Sequence, residues 1–399
     1  MCNVCSCLKS KGVSPPPNFK QLTGVDLAGD SGMILAYNDD LLTDIFIYLT
    51  PKTLIKLKLV CKHWFFLISG DNFSHQHTLR HRSKTEPSLL LRLVEESNQH
   101  IYLHLNRHAK KLVPYHFSPS LTGRTISSYS NGLFLLRSPR TIENPLEECF
   151  IYNPTTKQSR KIVLNVNERY TSVMGLNLAF DPSNTPHYKI ICVRSTRGRQ
   201  NTLLRRSSCF CRIEVYESEK GTWSTCGEPF WASVDVDFNR GVYLNCCVHW
   251  HGMYFYYRRD ILVGEHPEIV FPNGTGTEKL HENYVESGGY LHNIVHFPER
   301  HLVLVFELES NFSEWLLKYR VDLNGDFGLL SVLSIVNGES GEDMASLVLH
   351  EPGKVMAYEF QEQSMKEVVD FREEGFYEEG CMQFISSCTF QFVETLSPV

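Results

Sequence analysis

The hydrophobic pattern changes its period once along the chain. Between Met33 and about His77 the apolar residues recur at helical spacing. Leu41, Ile45 and Leu49 fall at i, i+4 intervals with Leu42 and Phe46 beside them; Leu54 and Leu57 line a second stretch, and Val60, Trp64, Leu67 and Ile68 a third. Three short helices are expected. Asn38 suits an N-cap, and Asp39 and Asp40 put negative charge in the first turn, where the helix dipole favours it. Thr50-Pro51 opens the second helix with a capping hydroxyl and then a residue that has no amide to leave unbonded. Lys52, Lys56 and Lys58 fall on its wet side, and Gly70 stops the third helix, which spans about Val60 to Ser69.

From Leu89 onward the period becomes two, as in 99–105, 211–216 and 315–321. One unit repeats loosely: an aromatic-bearing strand runs into a polar turn at 150–157, 215–223, 319–326 and 358–365. Apolar hairpin pairs such as 248–256 and 296–305 precede such units. A spacing of about 40–60 residues suits blades of a kelch-like β-propeller, and about 300 residues would make roughly six of them. A pair of β-sandwiches is the other architecture compatible with this pattern. The expected fold class is therefore α+β and multidomain. It comprises a tail over 1–32, a helical block over 33–78, a linker over 79–88 and an all-β domain over 89–393.

Composition narrows the function. The chain of 399 residues is 42% hydrophobic, 21% charged and 12% aromatic, which describes a globular protein rich in sheet-favouring side chains. The net charge of −6 divides unevenly: residues 1–111 carry 14 Lys/Arg against 9 Asp/Glu, and the remainder is acidic. That balance speaks against a nucleic-acid partner. No run of apolar residues is long enough for a membrane helix, and the N-terminus lacks secretory-signal blocks, so no membrane partner and a cytoplasmic or nuclear location are expected. Thirteen cysteines sit mostly in apolar runs and read as small buried hydrophobes.

The helical block resembles the F-box. Asp40-Leu41-Leu42-Thr43-Asp44-Ile45 and Val60-Cys61-Lys62-His63-Trp64 carry the resemblance, with Leu54, Lys58 and Ile68 at matching offsets. Tyr37-Asn38 stands where the family usually has Leu-Pro, and the proline of Thr50-Pro51 is shifted by one. The downstream phrases Ser130-Asn131-Gly132-Leu133-Phe134, 151–156 and Ala179-Phe180-Asp181-Pro182 are similar to the F-box-associated β domain of plant F-box proteins. The resemblance implies a non-catalytic substrate receptor of an SCF-type ubiquitin ligase. Its F-box would bind a Skp-type adaptor and, through it, a cullin scaffold, while the β domain holds an unidentified protein target. The adaptor-binding residues it implies are Asp40, Leu41, Leu42, Ile45, Leu49, Pro51, Leu54, Leu57, Val60, Cys61 and Trp64. A scaffold or inhibitor without ligase output remains an alternative, as does a propeller enzyme or binding module with an incidental helical head. A helical trio of this size cannot bury a full core alone, so its apolar faces want a cover.

Other clusters carry less. The basic run Arg194, Arg197, Arg199, Arg205 and Arg206 is expected in a hairpin loop that could grip an acidic or phosphorylated target. Cys247, His249 and His251 would share a strand face suited to zinc, although Gly252 suggests an ordinary hairpin. Cys2, Cys5 and Cys7 lack a fourth ligand. No esterase elbow, phosphate loop, zinc-protease helix or dinucleotide fingerprint occurs, so neither catalysis nor a cofactor is expected.

Overall fold

A computed structural model describes residues 38–81, 88–93, 99–105, 112–138, 148–164, 171–196, 208–256, 262–269, 280–323, 329–338, 341–373 and 381–399. The tail expected over 1–32, with its three cysteines, lies outside them. The chain divides into two compact units, residues 1–48 and 49–399. The boundary falls within the helical block.

In the first unit, helix α1 spans Asp39–Phe46. The Asn38 side chain accepts a hydrogen bond from the Leu41 amide at 3.1 Å, and Asp39 and Asp40 occupy the first turn. Leu42 and Phe46 are buried, whereas Leu41 and Ile45 are exposed.

The second unit begins with three helices. Helix α2, Pro51–Leu57, is capped by Thr50, whose hydroxyl accepts from the Thr53 amide at 3.4 Å. Helix α3, Lys62–Ser69, uses the Cys61 sulfur as its N-cap, accepting from the Trp64 amide at 3.5 Å. A further helix, α4, spans Asp71–His81 directly after Gly70 and runs into the stretch expected to be linker. It lacks an apolar stripe because Ser74 and His77 share its buried face with Phe73. The His77 imidazole is satisfied there by donating Nε2–H to the Leu49 carbonyl at 2.7 Å, and burial lowers its pKa to about 4.

The rest of the unit is six four-stranded antiparallel sheets, the blades of a propeller. Five are built from consecutive strands beginning at Thr125, Thr171, Val242, His281 and Ser331. The first blade is composite: Ser88–Arg92, His100–His104 and Leu112–Tyr115 are joined by Thr389–Phe392, which pairs with Ser88–Arg92 and closes the ring. The sandwich alternative is thereby excluded. Middle strands such as Leu133–Arg137, Cys247–Trp250 and Leu302–Leu308 are almost wholly buried and read as continuous apolar runs. Fourth strands such as Gln158–Val163 are largely exposed and polar.

The recurring phrases of the sequence now have physical causes. Three of the four aromatic-strand units are hairpins between third and fourth strands, whereas Tyr319 lies on a fourth strand, Trp315–Asp322. Asn131-Gly132 forms a two-residue turn with φ of 44° and 86°, the type I′ geometry that suits the twist of a hairpin. Ser130 and Asn131 both donate from their side chains to the Phe180 carbonyl, at 2.8 and 2.7 Å, and tie the second blade to the third.

Candidate functional site

The helical segment shows a set of large apolar side chains that are exposed. In the first unit these are Leu41, Ile45 and Tyr48, and in the second Leu59 (87% exposed), Val60, Phe65 and Phe66 (69%). Exposed clusters of this kind mark interaction surfaces in soluble proteins. Several of the residues the resemblance implies are placed otherwise. Leu42, Pro51 and Leu54 are buried, with Leu54 at 0%. Leu49, Leu57 and Trp64 are half-buried; Asp40 and Cys61 are exposed. Tyr48, Leu59, Phe65 and Phe66 were missed because helical spacing marks the inner face of a helix, and the residues left over on its outside carry no periodic signal of their own.

Residues 393–399 tie α2 and α4 to the propeller. Lys52 pairs with Glu394 at 2.5 Å, and the Thr78 and Thr395 hydroxyls lie 3.4 Å apart. On the other side Asn153 Nδ2 donates to the carbonyls of Thr395 and Ser397, at 3.1 and 2.8 Å. The Asn153 Oδ1 accepts from the Thr155 and Thr156 amides and shapes the turn into the next strand. A Cβ on Gly132 would stand 2.5 Å from the Val393 carbonyl oxygen, so the segment lies flush on the second blade.

Of the basic run expected to face a target, Arg194 is corrected by the structure. It lies on strand Lys189–Thr196, is 4% exposed, and pairs with Glu214 at 2.9 Å. Strand alternation turns it inward, where a charge survives only with a partner. Arg197, Arg199, Arg205 and Arg206 lie outside the described residues. The zinc geometry does not form either. Cys247 and His249 are buried, whereas His251 sits in the Gly252 turn, exposed, and bonds Glu282. His249 instead meets His266, Nδ1 to Nε2 at 3.3 Å, and burial lowers their pKa values to about 3 and about 4. No cluster of three potential metal ligands occurs among the described residues.

The inner strands of the blades surround a central cavity of about 330 Å³, reached by Ser127 and Tyr129 from the second blade, Asn283 from the fifth and Ser334 from the sixth. A second cavity of about 570 Å³ adjoins it, lined by His281, Glu282 and His296 among others.

Comparison with known families matches both parts of the chain. Residues 39–80, the four helices, match the F-box-like family. Residues 106–260, from the last outer strand of the first blade into the fourth blade, match the F-box associated beta propeller domain. This chain is an F-box protein with a C-terminal propeller. The F-box protein At5g07610 of Arabidopsis thaliana is 28% identical, with 99% of this chain and 100% of that protein covered. The probable F-box protein At3g25550 of the same plant is 32% identical over 32% of this chain and 61% of its own length. Among solved structures, a protein from Lactobacillus plantarum has 9% identity and a TM-score of 0.40 over 72% of this chain and 82% of its own. The exposed apolar side chains at 41–66 fall within the F-box-like match.

Proposed function

We propose that this F-box protein is a non-catalytic substrate receptor of an SCF-type ubiquitin ligase. Its F-box docks on a Skp-type adaptor that links to a cullin scaffold, and its propeller presents a protein target for ubiquitination in the cytoplasm or nucleus. The observation that carries this reading is the number of exposed large apolar residues within the F-box match: Leu41, Ile45 and Tyr48 in the first unit, and Leu59, Val60, Phe65 and Phe66 in the second. A partner that covers them would gain about 25 cal/mol for each Å² of apolar surface removed from water. The receptor's contribution to catalysis is then positional, raising the effective concentration of a target lysine near the charged ubiquitin.

Co-purification with a Skp-type adaptor tests the docking. The wild type is expected to retain the adaptor, and Ile45→Asp or Phe66→Asp to lose it while keeping the wild-type melting temperature. Retention by both variants would defeat the assignment of this surface. The receptor role is tested in cells: a bound partner whose lifetime does not change on depletion of this protein is not a degradation target.

A further inference from the structure

The two cavities differ in charge, although they share Arg240, Asn283, Ser386 and Ser387 along their common wall. The lining of the 330 Å³ central cavity includes Arg92, Arg137 and Arg240 but a single carboxylate, Asp237, among the described residues. Asp237 is already engaged, accepting from the Asn239 amide at 3.0 Å and its side-chain nitrogen at 3.2 Å.

Two of the arginines converge on one short turn, the 3₁₀ segment Ser386–Cys388. Arg92 comes from the first blade and donates Nη2–H to the Cys388 sulfur at 3.0 Å. Arg240 comes from the loop before the fourth blade and donates Nη2–H to the Ser386 hydroxyl at 3.3 Å. Sulfur is a weak acceptor, and a guanidinium offers five donors in a planar fork. The Arg92 Nε–H is buried with no protein partner among the described residues. Two cations held at one three-residue turn repel each other, and a half-buried cation with an unused donor is costly. An anion seated between them would remove both costs.

We infer that the central cavity of the propeller is a binding site for a small organic polyanion, a compound bearing two or more phosphate or carboxylate groups, gripped by Arg92 and Arg240 with Arg137 adding positive potential. The volume lies at the lower end of what small-molecule pockets offer, which suits a compact metabolite. Among the neutral lining groups the Asn283 amide is a donor for such a ligand, whereas the Ser127 and Ser334 hydroxyls already donate to the Leu176 and Ile335 carbonyls. The adjoining cavity has Glu282 on its wall and, among the described residues, no arginine besides the shared Arg240. His296 there stays neutral at physiological pH because burial lowers its pKa to about 4. The site is independent of adaptor docking: its arginines lie in the propeller, and the assay needs no ligase partner.

The test uses the full-length protein with inorganic pyrophosphate and citrate as probes, read by calorimetry and by thermal shift. Sodium chloride at matched ionic strength and mannitol serve as controls. Saturable binding is expected for at least one probe, with a rise in melting temperature that neither control reproduces. Arg240→Gln and Arg92→Gln should each weaken binding about tenfold or more, since a charge-assisted hydrogen bond is removed. Arg320→Gln, an exposed residue paired with Asp322 on an outer strand, should bind as the wild type does. Arg240 is itself exposed, so its variant is expected to fold even if Arg92→Gln does not. Absence of saturable binding by both probes would overturn the site, as would equal affinity in Arg240→Gln. Binding of a short phosphoserine peptide without binding of either probe would overturn the small-molecule assignment in favour of a peptide.

Discussion

At the scale of single residues, the fold depends on polar side chains buried with their partners already in place. Asn177 is the clearest. Its Nδ2 donates to the Phe238 carbonyl at 2.9 Å, and its Oδ1 accepts from the Gly241 amide at 3.0 Å, beside the Trp250 indole that donates to the same Phe238 carbonyl. Asn177→Ala leaves the half-buried Gly241 amide without its acceptor and the buried Phe238 carbonyl with the Trp250 indole alone, and a loss of about 1–3 kcal/mol is expected in urea unfolding. Five buried histidines make stability depend on pH. His77, His249, His266, His296 and His350 are held by burial below the ordinary value of 6.5, to about 3 for His249 and about 4 for the others. Between pH 6.5 and 4 the unfolded chain binds protons that the folded chain refuses. Stability is therefore intact above about pH 6.5 and falls as the pH is lowered through that window, by on the order of 1–3 kcal/mol per histidine. Melting temperatures measured from pH 7.5 to 4.5 should decline, and His350→Gln should flatten part of the decline.

Elements are where the sequence was most and least legible. Helix α1 was readable to its cap because Asn38, Asp39 and the Leu41–Ile45 spacing each act locally. The same holds for Thr50-Pro51. Helix α4 was not readable, since Ser74 and His77 hold positions where periodicity looks for Leu, and only the distant Leu49 carbonyl makes His77 acceptable inside. Arg194 was misread for a related reason: its neighbours Arg197 and Arg199 suggest an open loop, while the partner that draws it inward, Glu214, lies on the next strand. The apolar residues of the F-box were legible as a block, but which of them stay exposed was not. Leu54 and Ile45 look alike in sequence, yet one is fully buried and the other half exposed. The two should therefore separate in experiment. Leu54→Ala is expected to cost about 2–5 kcal/mol of stability, measured by chemical denaturation. Ile45→Ala should leave stability within about 1 kcal/mol and act on adaptor affinity instead.

Across the whole molecule, length and spacing pointed to roughly six blades without fixing their number, and the way the ring closes left no sign in them. Thr389–Phe392 reads as a short alternating strand like any other, and its pairing with Ser88–Arg92 spans almost the entire second unit. Contacts so distant in sequence leave no local trace. The segment that follows links the helices to the second blade through Lys52–Glu394, Thr78–Thr395 and Asn153. Truncation after Phe392 should leave the propeller closed but loosen its hold on α2 and α4. Faster amide exchange in α4, with little change in the inner strands, is the expected readout. Equal protection of α4 in the truncated and full-length chains would show that the segment does not couple the two.

The late position of the closing strand bears on synthesis. A ribosome delivers five finished blades before residues 389–392 emerge, so the nascent ring stays open, with the edge of Ser88–Arg92 unpaired, until that strand has been made. A message cut short between the F-box and that strand therefore yields a chain whose F-box helices can form while its propeller cannot close. Under the proposed function, such a product would compete for the adaptor without delivering anything to it.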